Sequence, residues 1–156
     1  MITDKDINDI KEIVHSLVGQ VSWEAKLGYG SFLTFNFGKL LPPDKRSLVI
    51  GEWHLWIRYC AWRIETDIEV IAGSEDEDDA LLDKNVKRLQ NVPIVKFDIT
   101  KPALETTIHF SNALRLRLFP VYSTLESEAD NWLLFTPDEK VLKVGPGANW
   151  SHQKSN

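Results

Sequence analysis

The chain has 156 residues and a formal net charge of -5, a length that fits one compact domain and a charge that argues against a general nucleic-acid binder, which needs a cationic footprint. Six Trp, seven Phe and three Tyr supply a core without a metal or disulfide staple, and the single cysteine excludes an intrachain disulfide. No secretory apolar region opens the chain and no run is long enough to span a bilayer, so a reducing cytoplasm is the expected setting.

Thr3 can cap a first helix, with Asp4 and Asp6 at the positive end of its dipole and Ile7, Ile10, Ile13, Val14 and Leu17 along one face. Gly19 is placed to end it in the left-handed region. Val21, Trp23 and Ala25 alternate with polar residues, Gly28 to Ser31 make a turn, and Phe32 to Phe37 return as the second strand of a hairpin. After a loop at Pro42, Pro43 and Asp44, the segments Val49 to Ile57, Ala61 to Glu65 and Ile68 to Ile71 read as strands.

A second helix is predicted from Ser74 to Gln90, with Leu82, Val86 and Leu89 on one face and Asn91 in the capping role of Gly19. Strands at Ile94 to Ile99 and Thr106 to Phe110 flank the Lys101-Pro102 turn, and Ser111 and Asn112 turn into Ala113 to Phe119. A polar loop covers Val121 to Asp130. The sequence TPDEK, with Pro137 and Asp138, closes a hairpin of Trp132 to Phe135 and Val141 to Val144. The tail after Gly147 is expected to be loosely held, with Trp150 as its anchor.

The order repeats. Leu17 and Leu89, Gly19 and Asn91, Phe35 and Ile108, Phe37 and Phe110, Trp53 and Trp132, Leu55 and Leu134, and Trp56 and Phe135 recur with nearly the same spacing. The expectation is an α+β fold of one domain, built from two helix-plus-antiparallel-meander units at about 1–72 and 73–145, related by a pseudo-two-fold axis.

The acidic run Ser74 to Asp79 lacks the ligand spacing of a calcium loop. It reads as a helix cap with first-turn carboxylates balanced by Lys84, Lys87 and Arg88, or as a contact for a basic partner. Glu52 to Glu65, EWHLWIRYCAWRIE, is the most unusual segment: aligned with NWLLFTPDEKVLKV, it puts Arg58, Tyr59 and Cys60 where the other unit has a Pro-Asp turn. An aromatic hairpin tip either fills the interface between the units or is a recognition surface of Arg58, Tyr59, Trp62 and Arg63, residue types that concentrate binding energy at interfaces.

His54 and His109 each sit between apolar neighbours on a strand, and the four His have no metal-ligand spacing. Cys60 reads as a small hydrophobe, because no base accompanies it in sequence. Arg115 and Arg117 form a basic stripe on one face of ALRLRLF, for an anion or for the following acids Glu126, Glu128 and Asp130.

The GEWHLW and CAWRI segments, with NWLLFTPD and GPG, resemble small bacterial single-domain proteins of no assigned activity, some of which act as immunity or antitoxin-like partners. That resemblance implies a protein-binding role and brings no catalytic residue. The expected function is a non-enzymatic interaction domain for an unknown protein partner, a basic one among the candidates, without cofactor or metal. The alternative is a small-molecule pocket or obscure enzyme between the units, lined by Trp53, Trp56, Tyr59 and Trp62, with Arg58 or His54 as its polar handle.

Overall fold

Helix α1 (Asp4–His15) opens on a reciprocal capping box: the Asp6 amide donates to the Thr3 hydroxyl at 3.1 Å and the Thr3 amide donates to the Asp6 carboxylate at 2.8 Å. Ile7, Ile10 and Val14 are its buried stripe. The chain leaves both helical segments through left-handed residues, Gly19 at φ +89° and Asn91 at φ +62°.

The computed structural model describes residues 1–43, 49–123 and 129–155, and the strands among them form two antiparallel sheets, giving an α+β architecture. In chain order these are β1 (Ser22–Leu27), β2 (Leu33–Leu40), β3 (Gly51–Ile57), β4 (Cys60–Glu65), β5 (Val70–Gly73), β6 (Ile94–Thr100), β7 (Glu105–Phe110), β8 (Arg115–Pro120), β9 (Trp132–Phe135), β10 (Lys140–Val144) and β11 (Trp150–Lys154). One sheet runs β1-β2-β3-β9-β10-β11 and the other β5-β4-β8-β7-β6. The first therefore joins three strands from one half of the chain to three from the other, the second joins two to three, and neither half owns a sheet.

Alternation along the strands builds the core. Leu33, Ile57 and Trp132 form one row of the first sheet, and Phe35, Leu55, Leu134 and Leu142 the next. In the second sheet the rows are Thr106, Leu118 and Trp62, then Ile108, Leu116, Ile64 and Ala72. All are buried, and the sheets meet where Phe35 lies 6.4 Å from Phe110 and the Trp132 indole donates to the Thr106 hydroxyl at 3.2 Å. Helix α1 packs on β6, while the second helix, α2 (Asp79–Val86), packs on β1 and β5.

Several expectations change. Asp78, not Ser74, caps α2, accepting from the Leu81 amide at 3.0 Å; Ser74 is buried and bonded to β4, its hydroxyl accepting from the Trp62 amide at 3.0 Å. A 3-10 turn, Lys87–Leu89, completes the segment. The tail is not loose, because β11 pairs with β10 over five residues and Trp150 packs against the core, its indole donating to Asp6 at 3.3 Å. The matched residues Trp53 and Trp132, and Leu55 and Leu134, lie on β3 and β9, which run side by side in one sheet with Leu55 opposite Leu134. Asp44, Glu126 and Glu128 lie outside the described residues.

Candidate functional site

Segment Glu52 to Glu65 is not a hairpin. Strand β3 ends in the first sheet and β4 begins in the second, and the crossing is held by the Arg58 and Tyr59 amides, which donate to the carbonyls of Asn131 at 2.9 Å and Asp130 at 3.2 Å. The Pro-Asp turn of the second half closes β9 onto β10, so it has no positional relation to Arg58, Tyr59 and Cys60.

Alternation distributes the seven candidate residues. Trp62 points inward and is 2% exposed, its indole donating to the Ser31 carbonyl at 2.8 Å. Trp53, half-buried, packs against the core from the far end of β3, its indole 3.2 Å from the Ser16 hydroxyl. Arg63 lies on the outer face of the second sheet. There the buried Glu65 carboxylate takes Arg63 and Arg115 as hydrogen-bonded partners, with Arg117 at 3.5 Å. Burial disfavours the Glu65 charge, but the bonds from Arg63 and Arg115 outweigh it and hold its pKa below the usual range. Arg115 also reaches Asp67 at 2.8 Å and Arg117 reaches Glu105 at 3.2 Å, so the basic stripe is engaged within the molecule.

His54 is on the outer face of the first sheet, Nδ1 2.8 Å from Asn36 Oδ1. The same oxygen accepts from the Gly51 amide at 3.0 Å, which identifies it as the amide oxygen and places the His54 proton on Nδ1. Burial pushes the His54 pKa down to about 4, leaving the ring neutral at pH 7. Burial also pushes the Cys60 thiol up to about 12, which keeps it protonated and unfit as a nucleophile. His109 is paired with Asp98 at 2.9 Å.

The three remaining candidates come together. Arg58 follows directly on β3, and its guanidinium lies 4.6 Å over the ring of Trp56 on that strand and 5.0 Å from the Tyr59 ring. Tyr59 meets Phe32 edge-on at 5.1 Å and Tyr122 at 6.1 Å, and Phe32 meets Trp56 at 6.4 Å. Asp130 stands 3.9 Å from Arg58. Trp56, Arg58 and Tyr59 are half-buried, while Tyr122 is 46% exposed. Beneath the crossing, Asn131 is fully buried, and its amide and the Arg58 Nε have no hydrogen-bond partner among the described residues.

Phe32, Tyr122 and Asn131 were not legible as site residues, because Phe32 reads as the start of a strand, Tyr122 as loop and Asn131 as the head of the NWLLFT segment. The pocket alternative loses its lining: Trp62 is in the core and Trp53 is at the opposite end of β3 from Tyr59. Shallow grooves lie elsewhere, one of about 370 Å³ along Asp9, Glu12, Ile13, Trp150 and His152 and another along α1 and β6. The chain matches no family model, no curated protein and no solved structure.

Proposed function

We propose that this protein is a non-enzymatic interaction domain that binds a protein partner through Trp56, Arg58 and Tyr59, as a bacterial cytoplasmic partner of the immunity or antitoxin kind. The observation that carries the reading is the stacking of Arg58 between Trp56 and Tyr59 at the crossing, flanked by Phe32 and the exposed Tyr122. Trp, Tyr and Arg in a half-buried, pre-ordered cluster supply contact area at little entropic cost. The protonated Cys60 and neutral His54 offer no activated group beside it.

We also propose that the chain is an internal duplication in which the two units exchange strands. Its support is reciprocity: the Gly19 amide donates to Ile94 and the Asn91 amide to Ser22, while the Ile94 amide donates to Gln20 and the Ser22 amide to Val92. Each member of a pair is the other shifted by 72 positions, as an isologous contact requires. Between them Val21 bridges Pro93.

The functional reading is tested by affinity capture from the native host with parent and Tyr59→Ala chains, then a Kd for any protein that only the parent retains. Tyr59→Ala is expected to weaken binding by about 1 to 3 kcal/mol with a shift in denaturation midpoint too small to account for it. Equal affinity of the two chains would remove this surface from the interface.

A further inference from the structure

A sheet edge is a row of unpaired backbone donors and acceptors, and natural sheets cover, shorten or bend their edges. Three of the four edges here are managed. Along β1, Gln90 accepts from the Ala25 amide at 3.0 Å and Lys87 donates to the Ala25 carbonyl. Along β6, α1 packs on the strand and the Gly19–Gln20 backbone bonds to Ile94. Strand β5 has four residues and a register shift, and its Gly73 amide donates to Asp76 at 2.9 Å.

The fourth edge is β11, which among the described residues pairs only with β10. The Gly145 amide donates to Asn149 at 2.7 Å and the Ser155 amide to Glu139 at 2.9 Å, which fixes the phase of the ladder. Residues 149, 151, 153 and 155 turn their backbone groups toward β10, and Trp150, His152 and Lys154 turn theirs away.

Between this edge and α1 runs the groove of about 370 Å³. Ile13 and Trp150 give it an apolar floor, Asp9 and Glu12 line its helical wall, and the His152 Nε2 is buried without a hydrogen-bond partner among the described residues. Among the described residues the cation paired to that wall is Lys5, its side chain 82% exposed and 2.7 Å from Asp9.

We propose that this groove receives an extended, basic segment of a protein partner as a seventh strand beside β11. Backbone bonds to Trp150, His152 and Lys154 supply the pairing. Every second side chain of the added strand faces α1, where a Lys or Arg meets Asp9 or Glu12. The site is separate from the Arg58 cluster and does not depend on it.

The probe is a synthetic nonapeptide in which Lys alternates with Thr and Val, compared on the full chain with a Glu-for-Lys peptide and a Lys peptide N-methylated at alternate amides. Calorimetry at low salt is expected to give binding by the Lys peptide at least about tenfold tighter than either control. Hydrogen exchange should slow at the amides of Trp150, His152 and Lys154. Asp9→Asn with Glu12→Gln should weaken binding about tenfold, while Tyr59→Ala leaves it unchanged, so the two surfaces fail or stand separately. Absence of binding at about 1 mM peptide, equal binding of the Glu or N-methylated peptide, or protection confined to other strands would overturn the proposal.

Discussion

Trp62→Phe separates the core part of the aromatic segment from its exposed part. Trp62 is 2% exposed and its indole donates to the Ser31 carbonyl at 2.8 Å. Phenylalanine leaves a void of roughly 40 Å³, which at about 24 cal/mol per Å³ costs about 1 kcal/mol. Losing the bond to a half-buried carbonyl costs about 1 kcal/mol more. The sum, about 2 kcal/mol, should appear as a lower urea midpoint at unchanged slope, while binding at the Arg58 cluster is unaffected. A loss below about 0.5 kcal/mol would mean that Trp62 is not packed where the two sheets meet, and the assignment of β4 to the second sheet would fall with it.

His54 carries an acid-lability prediction. Its pKa is about 4 in the folded chain against 6.5 in its absence, so the unfolded state takes up the proton first and stability falls as pH drops from 6.5 to 4, by up to about 3 kcal/mol. His54→Gln should flatten that part of the stability profile; parent and variant with the same slope would contradict the burial. Glu65→Gln removes the charge shared by Arg63, Arg115 and Arg117, whose side chains are 28–36% exposed and therefore well screened. A loss of about 1 kcal/mol that shrinks in 1 M salt is expected, and a salt-independent loss would point to packing instead.

The start of α1 and the left-handed exits of both helical segments were legible because their causes are local: Thr3 caps α1, and Gly19 and Asn91 sit where φ turns positive; the start of α2 was not, because Ser74 and Asp78 both carry capping side chains and Ser74 is taken by the Trp62 amide. Strand positions were legible from alternation, which is local too. Alternation says which face a residue takes but not which strand lies beside it, so the pairing of β3 with β9 and β4 with β8 was hidden. The similarity of WHLW and WLLF suggested Trp53 as the counterpart of Trp132, whereas the strands that carry them, β3 and β9, lie side by side in one sheet. In the sheet register Trp132 lies between Ile57 and Val144 in a buried row of the first sheet, and Trp62 lies beside Leu118 in a buried row of the second. Strand β11 was missed because Trp-Ser-His-Gln-Lys has little apolar pattern, and its order comes from β10 and from one half-buried indole. Of the candidate site, the sequence indicated Trp56, Arg58 and Tyr59. Trp62 and Arg63 belong to the other sheet because the crossing at Arg58 changes the sheet and not merely the strand direction.

The sharing of both sheets between the two halves of the chain has a consequence for folding. Residues 1–76 hold β1 to β5, yet in that fragment β3 lacks β9, β4 lacks β8 and α1 lacks β6. Buried residues such as Ile57, Ile64 and Trp62 lose their neighbouring strands. The complementary fragment, 77–156, suffers the matching losses and keeps the Asp78 cap of α2. Neither is expected to show a cooperative thermal transition alone, because two incomplete sheets bury too little to offset the entropy of ordering about 75 residues. Mixed at equal concentration they should recover a single transition as a 1:1 complex whose midpoint rises with concentration. If the halves are copies of one unit, residues 1–76 should also pair weakly with themselves, β4 of each copy taking the place of β9 in the other. A fragment that folds cooperatively as a monomer would show that each half completes its own core, and both the exchange and the duplication built on it would have to be given up.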